Sequence, residues 1–358
     1  MTEKLIKNGI LTGHELRQTV LHKIELGILN AKKDGFCEKE AFLTACKARF
    51  GSIVSIVDWD FARSNGDVNS FPGNIVSALQ YARIKSGKNI LDLYDVENPK
   101  AWEGVIDDVL SDPNQCQFFC DNFWRSPMVS HPMRALPLQY LLPFHFGNAG
   151  IKGIDIGAGA HVAFPMLNSK PFLSFEFEGD KSLRQLRNPI NLLLAVGVDK
   201  QKRDIDWARV GYYPGKRTYQ RLELLNTAYE RAISDATRFP VVCASVFEPK
   251  LYSMIAEVDP TSSPKYDFVF TSFIRHQLGK HPSIQEKFIS TIAQIVREEG
   301  IWVDIGRELL DTGWHPYDGW AVEVYRMNSG QMHSIGIPFI LTADQARVKK
   351  AIPEYFLG

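Results

Sequence analysis

From Lys152 onward the chain alternates short apolar runs with helix-length amphipathic stretches, and this grammar restricts the fold more than any other feature. The runs are KGIDIG, LLLAVGVD, FPVVCAS, YDFVFTS and GIWVDIG. They lack the polar alternation of a half-solvated strand, so each reads as a strand covered on both faces, as in a parallel sheet with crossover helices. TYQRLELLNTAYERAIS precedes FPVVCAS, and SIQEKFISTIAQIVREE precedes GIWVDIG, which is the order of a doubly wound α/β domain. Near the end, GWAVEVYRM and QMHSIGIPFIL flank NSG and predict a closing hairpin.

The first third has a different period. TGHE at Thr12–Glu15 has the form of a capping box, and Leu16, Val20, Ile24 and Ile28 follow at four-residue spacing. KKDG reads as the stop, EKEAFLTACKARF as a second helix, and PGNIVSALQYARIK as a third opened by Pro72. The expected architecture is an α/β chain: a helical N-terminal module over 1–125, then a Rossmann-like, mostly parallel sheet with a terminal antiparallel hairpin over 126–358.

Composition narrows the partners. Lys and Arg number 41, as do Asp and Glu, so no overall field draws a polyanion, and nucleic acid is not an expected partner. No apolar run approaches the roughly twenty residues that cross a bilayer, so a soluble, cytoplasmic protein is expected, with no membrane partner. Five cysteines are too few and odd in number for a disulfide framework. Cys116 and Cys120 in QCQFFC share a helix face but have no partner pair at zinc spacing, so they read as core cysteines and no metal is expected.

The stretch Ile151–Leu167, IKGIDIGAGAHVAFPML, carries the chemistry. A short strand leads straight into Gly157 and Gly159, which lets the chain turn sharply and bring backbone N–H groups close to a ligand. Val162 stands where a third dinucleotide-site glycine would be, which disfavours an NAD pyrophosphate. DIGAGA resembles the first motif of class I S-adenosylmethionine-dependent methyltransferases, D/E-x-G-x-G-x-G, with His161 in place of the last glycine. The resemblance implies a cofactor, S-adenosylmethionine, whose methionine part passes over Gly157 and Gly159, with Ala160 and His161 completing the loop. Asp155 would order the loop and the cofactor's amino group. KYDFVFTSFIRHQL is similar to the fourth strand of these enzymes, with Asp267 opening it and Ser272 to His276 facing the substrate; the terminal hairpin resembles their reversed seventh strand.

A narrower resemblance, over about Pro127 to Pro338, is to an uncharacterised, mostly bacterial family of methyltransferase-like proteins. It rests on Pro127 and Arg134 in SPMVSHPMR, Asp199 in VGVD, and Trp207, Pro214 and Arg221-Leu222 in WARVGYYPGKRTYQRL. The family's Asn-Glu before the arginine is Ser130-His131 here. The glycine loop also looks like that of enzymes that methylate the adenine amino group in RNA. Their Asn-Pro-Pro-Phe is replaced by Ser272, Phe273, Ile274 and Arg275, which disfavours that reaction.

Two carboxylates compete for a ribose diol, which needs an acceptor at the end of the second strand: Glu176 in FLSFEFEGD and Asp199 in LLLAVGVD. His276 is the candidate proton acceptor, with Arg275 and Ser272 beside it in the catalytic group. Arg134 is a candidate for gripping a carboxylate, and Trp207 with Tyr212 and Tyr213 for a wall of the substrate pocket. The resemblance implies a methyltransferase acting on a small-molecule acceptor. The alternatives are a methyltransferase-like scaffold or nucleotide-binding protein without catalysis, and an RNA-modifying enzyme, which the neutral charge balance weakens.

Overall fold

The five apolar runs are strands lying side by side; Ile154–Ile156 and Tyr266–Thr271 are buried throughout, whereas Leu193 and Cys243 towards the sheet edge are exposed. The structure, a computed structural model, describes residues 13–59, 70–125, 131–177, 180–211, 213, 215–259, 261, 265–278, 282–308, 319–342 and 348–356. Thr12, Pro127, Ser130, Tyr212 and Pro214 lie outside the described residues. The chain divides into two units, one of 1–129 with 205–223 and one of 130–204 with 224–358.

In the first unit, α1 (Gly13–Lys33), α2 (Cys37–Ala48), α3 (Phe50–Ile56), α4 (Phe71–Lys85), α5 (Pro99–Ser111) and α6 (Pro113–Asn122) enclose one apolar core. The predicted stripe on α1 is realised, since Leu16, Val20 and Ile24 are fully buried. Pro99 and Pro113 sit in first turns whose free N–H groups are taken by the side chains of Asn98 and Asp112. Segment 205–223, which the sequence offers no local reason to separate from the sheet, groups with these helices. It holds α8 (Ile205–Arg209), and the division falls within α9 (Lys216–Ser234). Cys46 alone of the five free cysteines is buried; Cys116 and Cys120, expected in the core, are half-buried.

In the second unit, α7 (Leu138–Phe146) precedes β1 (Gly150–Ile156). The strands that follow are β2 (Asn191–Asp199), β3 (Val241–Cys243), β4 (Tyr266–Ser272), β5 (Val296–Glu308), β6 (Trp320–Asn328), β7 (Gln331–Leu341) and β8 (Val348–Ala351). They form one sheet in the order β3-β2-β1-β4-β5-β6-β7-β8. The first five are parallel, and the remaining pairings are antiparallel. α10 (Leu251–Val258) and α12 (Pro282–Ile295) bury Leu251, Ile255, Phe288 and Ile292 against the sheet. At about 25 cal/mol per Å² of apolar surface, such side chains contribute roughly 1.5–3 kcal/mol each.

One expectation is corrected. Residues 172–177 form no strand: Ser169 and Pro171 open a one-turn helix, Lys170–Ser174, and the chain runs irregularly to Phe177. The expected terminal hairpin is β6 with β7, and β8 adds a third antiparallel strand beside β7. The order reverses between β1 and β4, which leaves a crevice at their carboxyl ends where ligands of open α/β sheets bind. Among the described residues no helix is long and apolar enough to cross a membrane.

Candidate functional site

The glycine turn follows β1 at that crevice. Gly157 and Gly159 have φ of 76° and 56°, values that a side chain opposes, so the turn itself demands glycine. Gly157 and Ala158 donate their N–H groups to Val198 O at 2.8 and 3.1 Å, which ties the turn to the end of β2. Asp199, the last residue of β2, accepts from Gly159 N at 2.9 Å and from Gln201 N at 2.8 Å, one bond to each carboxylate oxygen. Asp199 therefore meets the loop, whereas Glu176 is exposed, outside any strand, and paired with Arg184 at 2.5 Å. Of the two carboxylates, only Asp199 ends a strand, because β2 is the run that closes on it.

His161 is the principal correction within the loop. Its side chain is fully buried, and it adopts a φ of 52°. The ring fills space that Gly197 on β2 leaves free: a Cβ there would lie 2.6 Å from the imidazole. Nε2 meets Ala195 O at 3.0 Å, while Nδ1 makes no hydrogen bond among the described residues and lies 3.7 Å from Asp155 Oδ2. Burial raises the Asp155 carboxyl above the usual range, and His161 pulls it back. A ring so enclosed contributes packing rather than a cofactor contact. Ala160 is also buried, and its carbonyl accepts from Arg203 Nε at 2.9 Å. That arginine also donates to His161 O at 3.4 Å and clamps the far side of the turn.

At the tip of β4, Ser272 Oγ is buried and makes no hydrogen bond among the described residues, an orphaned polar atom next to the crevice. Phe273 follows with a φ of 62°, rare for a bulky residue. It is held there by its N–H on Ile305 O at 2.6 Å, by Trp320 edge-on at 4.9 Å, and by the Arg134 guanidinium over its ring at 4.7 Å. Arg134 thus reaches this edge through an aromatic face. Ile274 opens the one-turn α11 (Ile274–Gln277) and lies against Gly157, where an added Cβ would be 2.1 Å from its Cδ1. The glycine makes room for this isoleucine.

Arg275 is not free to orient a substrate as expected. Its Nη1 donates to Asp304 Oδ2 at 3.2 Å and to Tyr325 OH at 2.9 Å, and Tyr325 OH donates to Glu323 at 3.0 Å. Asp304 Oδ1 also accepts from Thr271 Oγ1 at 2.5 Å. Asp304 and Glu323 are cross-strand partners, both buried, and sequence reasoning missed them although each interrupts an otherwise apolar run. Burial pushes the Asp304 carboxyl up to about 6, with Glu323 adding to the rise against the pull of Thr271 and Arg275. A carboxyl raised in the fold binds its proton more tightly folded than unfolded. Its contribution to stability is therefore present below its ordinary value of 3.8 and lost as pH rises through about 6. The stability of the native chain relative to Asp304→Asn should accordingly fall between about pH 4 and 7, by on the order of 2–3 kcal/mol, in denaturant titrations. A difference that does not change with pH would show that Asp304 titrates normally.

Trp207 and Tyr213 belong to the helical unit. Trp207 is fully buried, edge-on to Tyr81 at 5.2 Å with Arg125 over it at 4.6 Å. Tyr213 packs on Phe42 at 6.2 Å under Lys39 at 4.6 Å. Trp207 is thus enclosed within the helical unit, and Tyr213 is half-buried against its core. The side chain of His276 lies outside the described residues. Among the described residues no cluster of His, Cys, Asp or Glu has the form of a metal site.

No protein-family model and no curated protein matches the chain. Among solved structures it is similar to PKMT2 of Rickettsia typhi in complex with AdoHcy, at 16% identity over 52% of this chain and 27% of that one, with a TM-score of 0.27. An S-adenosylmethionine-dependent methyltransferase of Clostridium acetobutylicum is 7% identical over 57% and 70% of the two chains, with a TM-score of 0.28. A putative O-methyltransferase of Nostoc punctiforme is 14% identical over 72% and 78%, with a TM-score of 0.26. The chain spans about a quarter of the length of the Rickettsia protein. Similarities of this size carry no conclusion about activity or ligand.

Proposed function

We propose that the chain binds S-adenosylmethionine as class I methyltransferases do and transfers its methyl group to a small-molecule acceptor. The observation that carries this is the bond from Gly159 N to Asp199 Oδ2 at 2.9 Å, which joins the carboxylate ending β2 to the glycine turn after β1 at the point of strand reversal. The residues fit the group. Each Asp199 oxygen accepts one N–H and keeps lone-pair capacity for a hydroxyl, and the unpartnered Ser272 Oγ lies at the neighbouring strand tip. When bound, the donor supplies an electrophilic methyl on its sulfonium. Asp199 would hold the ribose diol, Gly157 and Gly159 would allow close backbone approach, and Ile274 and Phe273 would keep water out. Transfer of this kind needs alignment and a dry site more than an acid or base. Ser272 is the side chain best placed to position an acceptor, and His276 remains a proposed proton acceptor by its place after β4. The narrower family resemblance, a cytoplasmic location and the absence of a nucleic-acid partner belong to the same proposal.

The scaffold reading has one specific support: Ile274 occupies the space beside Gly157, so packing alone accounts for that glycine. Calorimetric titration with S-adenosylmethionine and with S-adenosylhomocysteine separates the two. Saturable binding of either at micromolar to millimolar concentration is expected. No heat and no thermal shift at millimolar ligand would leave the scaffold reading standing.

A further inference from the structure

The start of β2 and the end of α9 flank a second site, at the amino edge of the sheet, opposite the glycine turn. A cleft of about 180 Å³ opens there, floored in part by Phe164, Leu167 and Phe239 and rimmed by Arg231, Asp235 and Arg238. The three floor residues are 0%, 4% and 7% exposed, so the cleft's open surface belongs mainly to its polar rim. Arg238 Nε is paired with Asp235 Oδ2 at 3.2 Å. Arg231 reaches only a main-chain oxygen, Leu167 O at 3.3 Å, and no carboxylate among the described residues. Of the two guanidinium groups, only that of Arg238 meets a carboxylate among the described residues. Burial lowers the pKa of Arg231, and Arg238 lowers it further, as expected of like charges held near each other without enough counter-charge.

Two guanidinium groups on one small cleft favour an anion. A guanidinium presents a planar fork of N–H donors that matches an oxyanion, and two forks on one small cleft match the several oxygens of a tetrahedral one. The space holds one compact group rather than an extended chain. We propose that this cleft is a phosphate-binding site, in which Arg231 and Arg238 grip a phosphate group, either free or as a phosphomonoester. Phe164 and Phe239 also pack against the buried His161 ring, at 5.9 and 6.2 Å, so the site shares its floor with the support of the glycine turn. The proposal does not depend on methyl transfer.

The test is calorimetry on the full chain at fixed ionic strength, with inorganic phosphate and glycerol 3-phosphate as probes and chloride as the control anion. Wild type should bind phosphate saturably, and Arg231→Gln and Arg238→Gln should each weaken binding by tenfold or more, with Arg231→Lys losing less. Unliganded melting temperature and far-UV circular dichroism show that the variants are folded. Tighter binding of the ester would assign an organic phosphate, and equal binding would assign the free ion. Absence of phosphate binding to folded wild type, or equal affinity in wild type and Arg231→Gln, would overturn the proposal.

Discussion

Replacing Gly157 by valine should destabilise the whole domain, not merely weaken a ligand. The new Cβ would lie 2.1 Å from Ile274 Cδ1 and 2.6 Å from its Cγ1, and the residue would have to hold a φ of 76°. Ile274 can swing its terminal methyl aside, but the closeness of Cγ1 requires the whole side chain to move. The left-handed backbone costs about 1–2 kcal/mol and overpacking about 1–3 kcal/mol, so a loss of roughly 2–5 kcal/mol is expected. Denaturant unfolding measures it. Combining the change with Ile274→Ala should recover the steric part and leave the backbone part, so a double variant no more stable than the single one would show that Ile274 is not the obstacle. Wild-type stability in Gly157→Val would mean that the turn does not have the geometry described.

Asp199→Ala is expected to reduce affinity for S-adenosylhomocysteine by about a hundredfold or more, equivalent to roughly 3 kcal/mol. The loss has two sources. The diol loses its acceptor, and the N–H groups of Gly159 and Gln201 lose theirs, so the turn is no longer held for the ligand. Asp199→Asn keeps one carbonyl acceptor and should fall between. Because Asp199 is only partly buried, water can satisfy the freed N–H groups, and the melting temperature should move much less than the affinity. Calorimetry alongside thermal unfolding separates these. Unchanged affinity in a folded Asp199→Ala would remove this carboxylate from the site.

The parallel strands are legible in the sequence because burial on both faces forces an unbroken apolar run, and five such runs form β1 to β5. The glycine turn is legible for a related reason, since its conformation admits almost no other residue. FLSFEFEGD misleads because alternating phenylalanines imitate a strand, while the helix-opening Ser169 and Pro171 lie just before it. Trp207 and Tyr213 read as neighbours of the sheet because they lie between two of its strands in sequence. Their contacts are with Tyr81, Arg125, Phe42 and Lys39, partners far away along the chain that no local period reveals. The Arg275, Asp304 and Glu323 network is hidden for the same reason, since it joins α11 to two strands through pairings that only the sheet register creates.

The imidazole of His161 and the bare backbone of Gly197 divide a single volume between them. A change at either position therefore strains or empties the space at the other. Restoring the glycine usual in the motif at 161 would relieve one unfavourable φ yet open a void the size of a ring, whereas enlarging 197 first would meet that ring at once. A lineage could cross from one arrangement to the other only by compensated exchange of both residues. The histidine that looks in sequence like a damaged cofactor motif is therefore half of a packed pair, and its partner is the glycine two residues before Asp199.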